Sequence, residues 1–177
     1  MTSATDLRGF IRDIPDFPKP GIAFKDITPL LADAGALDTA VRELADPLRD
    51  ARVDLVIGAE ARGFLLGAAL ARELGVGFVL ARKPGKLPWS TVRAEYLLEY
   101  GSDALELHSD AVEEGKRVLV HDDLLATGGT AKALCSLVEQ SGGEVVGLSF
   151  LLELAFLGGR EALAGRDVRS LLRYDAE

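Results

Sequence analysis

Two adjacent carboxylates, Asp122 and Asp123, stand just before a run of small and hydroxyl-bearing residues, Ala126-Thr127-Gly128-Gly129-Thr130. An ionised carboxylate only accepts hydrogen bonds. The acidic pair therefore suits sugar hydroxyls or a hydrated Mg²⁺, not a phosphate. The run after it suits the opposite kind of group. Gly128 and Gly129 let the backbone approach an anion closely, and Thr127 and Thr130 supply donors. Ala131 to Gln140 has helical periodicity, so the run also sits at a helix start, with its unpaired N–H groups and positive dipole end. A tight strand-to-helix turn with an Asx cap would use the same residues singly. Their ordered combination points to a pocket for a phosphorylated, hydroxyl-rich ligand.

Cationic candidates lie elsewhere in the chain. Arg62, in Glu60-Ala61-Arg62-Gly63, has a guanidinium fork that suits phosphate oxygens, the alternative being a surface pair with Glu60. Arg82-Lys83-Pro84-Gly85-Lys86 clusters positive charge in a chain with 20 basic and 28 acidic residues and a net charge of −8. An acidic protein is poorly suited to nucleic acid, so a basic cluster here asks for another anion.

The elements that must carry these groups follow from hydropathy. Val53 to Gly58, Val76 to Leu80, Arg117 to Val120 and Glu144 to Leu152 read as buried strands, and Ser170 to Tyr174 as a weaker last one. Asp6 to Arg12, Leu37 to Leu48, Phe64 to Leu74 and Ala131 to Gln140 read as helices, the first capped by Asp6, the second irregular near Pro47. Strands alternating with helices predict an α/β fold with a central, mostly parallel sheet. In such sheets ligands bind beyond the carboxyl ends of the strands. That gathers the Arg62 turn, the Arg82–Lys86 cluster and the Asp122–Thr130 stretch, and the inferred ligand has two anionic ends with hydroxyls between them.

Two segments interrupt the alternation. Ile14 to Gly21 holds three prolines and a glycine, which make a stiff surface segment. Phe17 and Phe24 beside it either wall a flat ring or plug the edge of the core, and the pattern alone favours the plug. Residues 83–108 form a long excursion that returns through an alternating ribbon, with Val92, Ala94, Tyr96, Leu98 and Tyr100 on one face. Such an excursion is usually a lid or a binding loop. The length of 177 residues predicts one domain. No apolar run is long enough for a membrane span, and the N-terminus lacks a secretory pattern. The single cysteine, Cys135, fits a reducing compartment and a place in the core. Two histidines and one cysteine give no metal-site spacing.

Asp122 to Thr130 resembles the phosphoribosyl-pyrophosphate motif of the type I phosphoribosyltransferases. The likeness runs from about Ile14 to Tyr174. It includes Phe17-Pro18-Lys19-Pro20-Gly21, Phe24-Lys25-Asp26-Ile27-Thr28, Ala61-Arg62-Gly63-Phe64, Arg82 to Pro88 and Leu98-Glu99-Tyr100-Gly101. The first and last of these point to the adenine-using branch. The resemblance implies the type I fold in a single domain, with a hood over about residues 1–35 and a flexible lid over about 82–108. It implies transfer of the phosphoribosyl group to adenine, giving AMP and pyrophosphate, in a cytoplasmic homodimer that uses Mg²⁺ held mainly by substrate and water. Ala126, Thr127, Gly128, Gly129 and Thr130 would hold the 5′-phosphate. Asp122 and Asp123 would serve the ribose and its developing positive charge. Ala61 and Arg62, with Lys83 and Lys86 from the lid or a neighbouring subunit, would hold pyrophosphate. Glu99 would assist proton movement at the purine. Ala23, Phe24 and Lys25 would meet adenine, largely through backbone groups, with Phe24 stacking on the ring.

The sequence departs from the family at Lys25, where many relatives have Arg, and at His121, where an apolar residue is usual. His121 reads as a packed strand histidine. Trp89 carries no role. Another purine base and a non-catalytic sensor are the competing readings. The segment near Ala23 and Lys25 decides the first, and the sensor needs a DNA-binding domain for which the chain has no length.

Overall fold

The computed structural model describes residues 7–97 and 102–176. Nine strands and five helices follow one another with 3₁₀ turns between them among the described residues. Strands β1 (Arg12–Ile14) and β2 (Phe24–Asp26) form a small antiparallel ribbon, with Asp13 opposite Lys25. Helices α1 (Thr28–Ala32) and α2 (Ala34–Ala45) follow, and the Asp33 carboxylate caps α2 by accepting from the N–H of Ala36. Strand β3 (Leu55–Ala59) leads into α3 (Arg62–Leu74), which ends on Gly75 in the left-handed region before β4 (Gly77–Ala81). Strands β5 (Thr91–Leu97) and β6 (Ser102–His108) form a second antiparallel ribbon. Then come β7 (Arg117–Leu125), α4 (Gly129–Gln140), β8 (Glu144–Leu154), the one-turn α5 (Gly159–Ala162) and β9 (Val168–Tyr174).

The main sheet is parallel, in the order β4-β3-β7-β8-β9. Its strands are buried on both faces, which is why they read as near-continuous apolar runs. Val118 and Val120 pack toward α4 and the β5–β6 ribbon, with Leu105, Leu134 and Phe150 in the same cluster. Leu119 faces the other way, onto α2 and α3, beside Leu44, Val56 and Leu70. Helices therefore cover both faces, and the type I fold expected from the sequence is present.

One feature of the sheet prepares the site. From β3 the chain runs outward to β4, and from β7 it runs the other way to β8. The crevice between β3 and β7 is therefore the topological switch point, where α/β sheets bind ligands. The β3–β7 pairing runs only to Gly58 opposite His121, whereas β7 continues against β8 as far as Leu125 opposite Glu153. Past His121, β7 thus has β8 on one side and the crevice on the other.

Three expectations change. The Asp6–Arg12 helix is one 3₁₀ turn, Arg8–Phe10, followed at once by β1; Asp6 lies outside the described residues. Pairing with β2 outweighs the local helical pattern. The Leu37–Leu48 helix starts earlier, on the Asp33 cap, and becomes 3₁₀ at Asp46–Leu48 around Pro47. Asp122 and Asp123 lie within β7, not in a loop after it. Leu124 and Leu125 extend the strand through their pairing with Leu152 and Glu153.

Candidate active site

Asp122 and Asp123 stand where β7 has left β3, opposite the first turn of α3. Gly63 allows this approach, because a Cβ there would sit 2.8 Å from Asp122 Oδ1. The Asp123 N–H donates to Asp122 Oδ1 at 2.9 Å. Arg62 Nε lies 2.9 Å from Asp123 Oδ2, and Asp123 is nearly fully buried. Burial, with Asp123 as a neighbouring charge, holds the Asp122 carboxyl well above the usual carboxylate range. Burial raises Asp123 as well, against the pull of Arg62. A positive charge brought beside the pair would favour its ionised form.

Arg62 has two partners. Its guanidinium also lies over the Phe24 ring, 4.9 Å from the centroid. It does not pair with Glu60, which is taken by Arg82 through an Nε–Oε2 contact of 2.7 Å. Phe24 in turn meets Phe17 edge-to-face at 5.2 Å. These rings, with Ile27, Leu31 and Leu65, wall a cleft of about 370 Å³ that Arg62 and Asp26 close with polar groups. So Phe17 and Phe24 line a cleft instead of plugging the core, and Phe17 remains half exposed. Asp26 is held by Thr28, accepting from its N–H and its hydroxyl at 2.9 Å each, and these bonds lower its pKa.

Lys25 sits beside this cleft but points away. Its Nζ is 2.7 Å from Asp13 Oδ1 and 4.5 Å from the centroid of Tyr174, and the side chain is buried. Any contact of Ala23 or Lys25 with a ring in the cleft is left to their backbone.

The Ala126–Thr130 run lies at the far end of β7. Gly128 takes φ +86° as the N-cap of α4, so the first N–H groups of that helix stay free for an anion. The run and Tyr96 line a small recess of about 70 Å³. Tyr96 reaches it from β5 and bonds both Thr130 and, at 3.3 Å, Asp103 Oδ2. Asp103 holds Lys83 Nζ at 3.0 Å, so the ribbon stores one of the two lysines close to the recess. Lys86 is exposed. Glu99 lies outside the described residues. Ala61 is the exposed residue before α3, on a cis peptide from Glu60.

Several lining residues carry little or no signal at the level of sequence. Tyr96 was visible only as an apolar-face residue of the ribbon. Leu65 read as an ordinary helix position, Leu31 lay outside every predicted element, and Asp26 differs from other turn acids only in preceding Thr28 by two.

The structure thus joins an apolar cleft, an acidic pair and an anion recess along one sheet edge. The comparisons with known proteins agree on the class: residues 31–162 match the phosphoribosyl transferase domain. A curated adenine phosphoribosyltransferase of Thermotoga neapolitana is 56% identical over 169 residues, 96% of this chain and 99% of its own. The crystal structure of adenine phosphoribosyltransferase from Thermoanaerobacter pseudethanolicus superposes with a TM-score of 0.95 at 55% identity, covering 97% of this chain and 100% of that one. The enzyme of Giardia lamblia complexed with 9-deazaadenine gives 0.94 at 37% identity, covering 99% and 100%. The chain belongs to the adenine phosphoribosyltransferase family, enzymes of purine salvage that transfer the 5-phosphoribosyl group from phosphoribosyl pyrophosphate to adenine, giving AMP and pyrophosphate.

Proposed function

We propose that this transfer runs along the edge just described, with adenine between Phe24 and the apolar wall, ribose at Asp122 and Asp123, and the 5′-phosphate at Ala126–Thr130. The observation that carries the reading is Arg62, which touches the wall of the ring cleft and the acidic pair at once. The 9-deazaadenine bound to the Giardia enzyme is a purine analogue and supports a base site in this fold.

The chemistry follows from charge. The C1′–O bond to pyrophosphate breaks, the C1′–N9 bond forms, and N9 gives up its proton. As the first bond lengthens, positive charge grows on the ribose, and the carboxylates beside it stabilise that charge in a partly buried place. Arg62, leaving Asp123, and the backbone at Ala61 would receive the departing diphosphate, with Lys83 and Lys86 of the lid. Glu99 would take part in moving the purine proton. The residues 82–108 would close as a lid to keep water from the donor, and residues 1–35 form the hood.

Asp122 and Asp123 are the acidic side chains that would face a Mg²⁺ carried in by the donor, an ion that keeps most of its water and takes few protein ligands. When bound, it neutralises the charge of the departing pyrophosphate. Homodimerisation would let Lys83 and Lys86 of one chain serve its neighbour. Among the described residues no helix is long and apolar enough to cross a membrane. With the acidic charge and the single buried thiol, we place the protein in the cytoplasm.

The assay that tests this reading offers adenine, hypoxanthine and guanine separately with phosphoribosyl pyrophosphate and Mg²⁺. AMP from adenine, with little product from the oxo-purines, is expected. An oxo-purine used as well as adenine would move the base specificity, and no turnover with any base would end the reading.

A further inference from the structure

We propose that the Arg160–Glu153 ion pair is a positioning clamp for the 5′-phosphate loop, acting through the backbone of Gly159. The inference rests on the assignment of Ala126–Thr130 to that phosphate.

Glu153 is a buried carboxylate, 2% exposed, on β8 directly beside Leu125, the last residue before the loop. Arg160 grips it with both ends of its fork, Nε to Oε1 at 2.7 Å and Nη2 to Oε2 at 2.8 Å. The same guanidinium donates to the Val168 carbonyl at 2.8 Å and to the Ser170 hydroxyl at 3.1 Å, and that hydroxyl donates to Glu153. Arg160 is thereby fixed to two strands at once. A bidentate charged pair of this kind is among the strongest side-chain contacts and fixes geometry as well as energy.

Arg160 sits on the one-turn α5, which does not line the phosphate recess. What α5 presents to the loop is backbone. A Cβ on Gly128 would lie 2.7 Å from the Gly159 carbonyl oxygen and 3.0 Å from the Ala162 methyl. In the reverse direction, a Cβ on Gly159 would overlap the Ala126 carbonyl oxygen and lie 2.9 Å from a Leu125 methyl. Loop and α5 therefore interlock through backbone carbonyls, with only the Ala162 methyl and the Leu125 side chain beside them. Any shift of α5 is passed to Ala126 and Gly128, and the clamp is what stops α5 from shifting. A loop whose N–H groups must converge on one phosphate loses affinity steeply when displaced by a fraction of an ångström.

Titration calorimetry of ribose 5-phosphate, and of pyrophosphate with Mg²⁺, tests the clamp in Arg160→Lys, which keeps the charge but not the fork. Gly159→Ala leaves the pair intact and tests the backbone coupling by pressing on the loop; Glu153→Gln, which keeps the side chain's shape but removes the charge that Arg160 grips, carries the test of the clamp if Arg160→Lys does not fold. The test variants are expected to weaken ribose 5-phosphate by about tenfold, a loss typical of small misplacement, while pyrophosphate stays within about twofold. Thr130→Ala is the control for the loop itself. If it weakens ribose 5-phosphate and the folded clamp variant does not, the clamp is refuted alone, whatever Gly159→Ala does. If Thr130→Ala has no effect either, the loop assignment fails. Equal loss of both ligands in the test variants would indicate general damage and also overturn the clamp.

Discussion

Arg62 is the residue on which the site turns. It ties Asp123, the carboxylate proposed to face ribose, to Phe24, the ring proposed to face a base, and under that proposal it would leave Asp123 when a diphosphate competes for it. The sequence marked it as an anion ligand but offered Glu60 as the alternative partner. Glu60 is instead committed to Arg82, just past the end of β4, a choice that only the β3–β4 register makes visible. His121 shows the reverse case. Its burial was legible from the apolar strand around it. The structure adds that its ring is wholly enclosed, next to α3 at Gly67, and that burial pushes its pKa down to about 4. A histidine that ionises less readily when folded stabilises the fold fully above about pH 6.5. That contribution is lost as pH falls toward 4, at about 1.4 kcal/mol per pH unit. Asp122 and Asp123, raised by burial, act with the opposite sign. They are present in both proteins of the comparison, so the difference isolates the imidazole. Denaturation midpoints at pH 7.5 and pH 5 should therefore fall less in His121→Leu than in the parent. An equal fall in the two would show that the ring is not held neutral.

At the scale of elements, the long apolar strands and amphipathic helices were readable from periodicity, and the β5–β6 ribbon from its alternation. The β1–β2 ribbon was not, because three residues cannot display a period of two, and the prolines between the strands hide the return. The acidic pair was recognised, but its place inside β7 was not. A strand that continues past its neighbour is specified by the β8 pairing, not by local preference. The turn from β7 into α4 was legible in residue type, and the structure supplies the reason for Gly128: φ +86° and a backbone wall at Gly159. Gly128→Ala should cost about 1–3 kcal/mol of stability from the positive φ and the contact. It should also raise the KM for phosphoribosyl pyrophosphate by at least about tenfold, as expected when a positioned loop shifts by a fraction of an ångström. Unchanged KM would mean that the loop tolerates displacement and is not a phosphate cradle.

At the scale of the molecule, topology explains why sequence-distant groups meet. The strand order reverses between β3 and β7, so the loops after those strands diverge and open one crevice. The ribbons at either end of it supply Phe24 on one side and Tyr96 on the other. The alternation of strands and helices predicted the parallel sheet but not the switch point, which depends on strand order. Assembly belongs to this scale as well. Light scattering on the purified protein should give twice the chain mass of 18.8 kDa, as the proposed homodimer requires; the mass of one chain would return Lys83 and Lys86 to their own site.

One edge of the sheet is proposed to hold base, ribose and phosphate in that order, and a crystal structure with AMP would show whether it does. The adenine ring is expected against Phe24, the ribose hydroxyls at Asp122 and Asp123, and the phosphate among the N–H groups of Ala126–Thr130. A nucleotide whose phosphate lies instead at Arg62, or whose base lies outside the Phe17–Phe24 cleft, would contradict it.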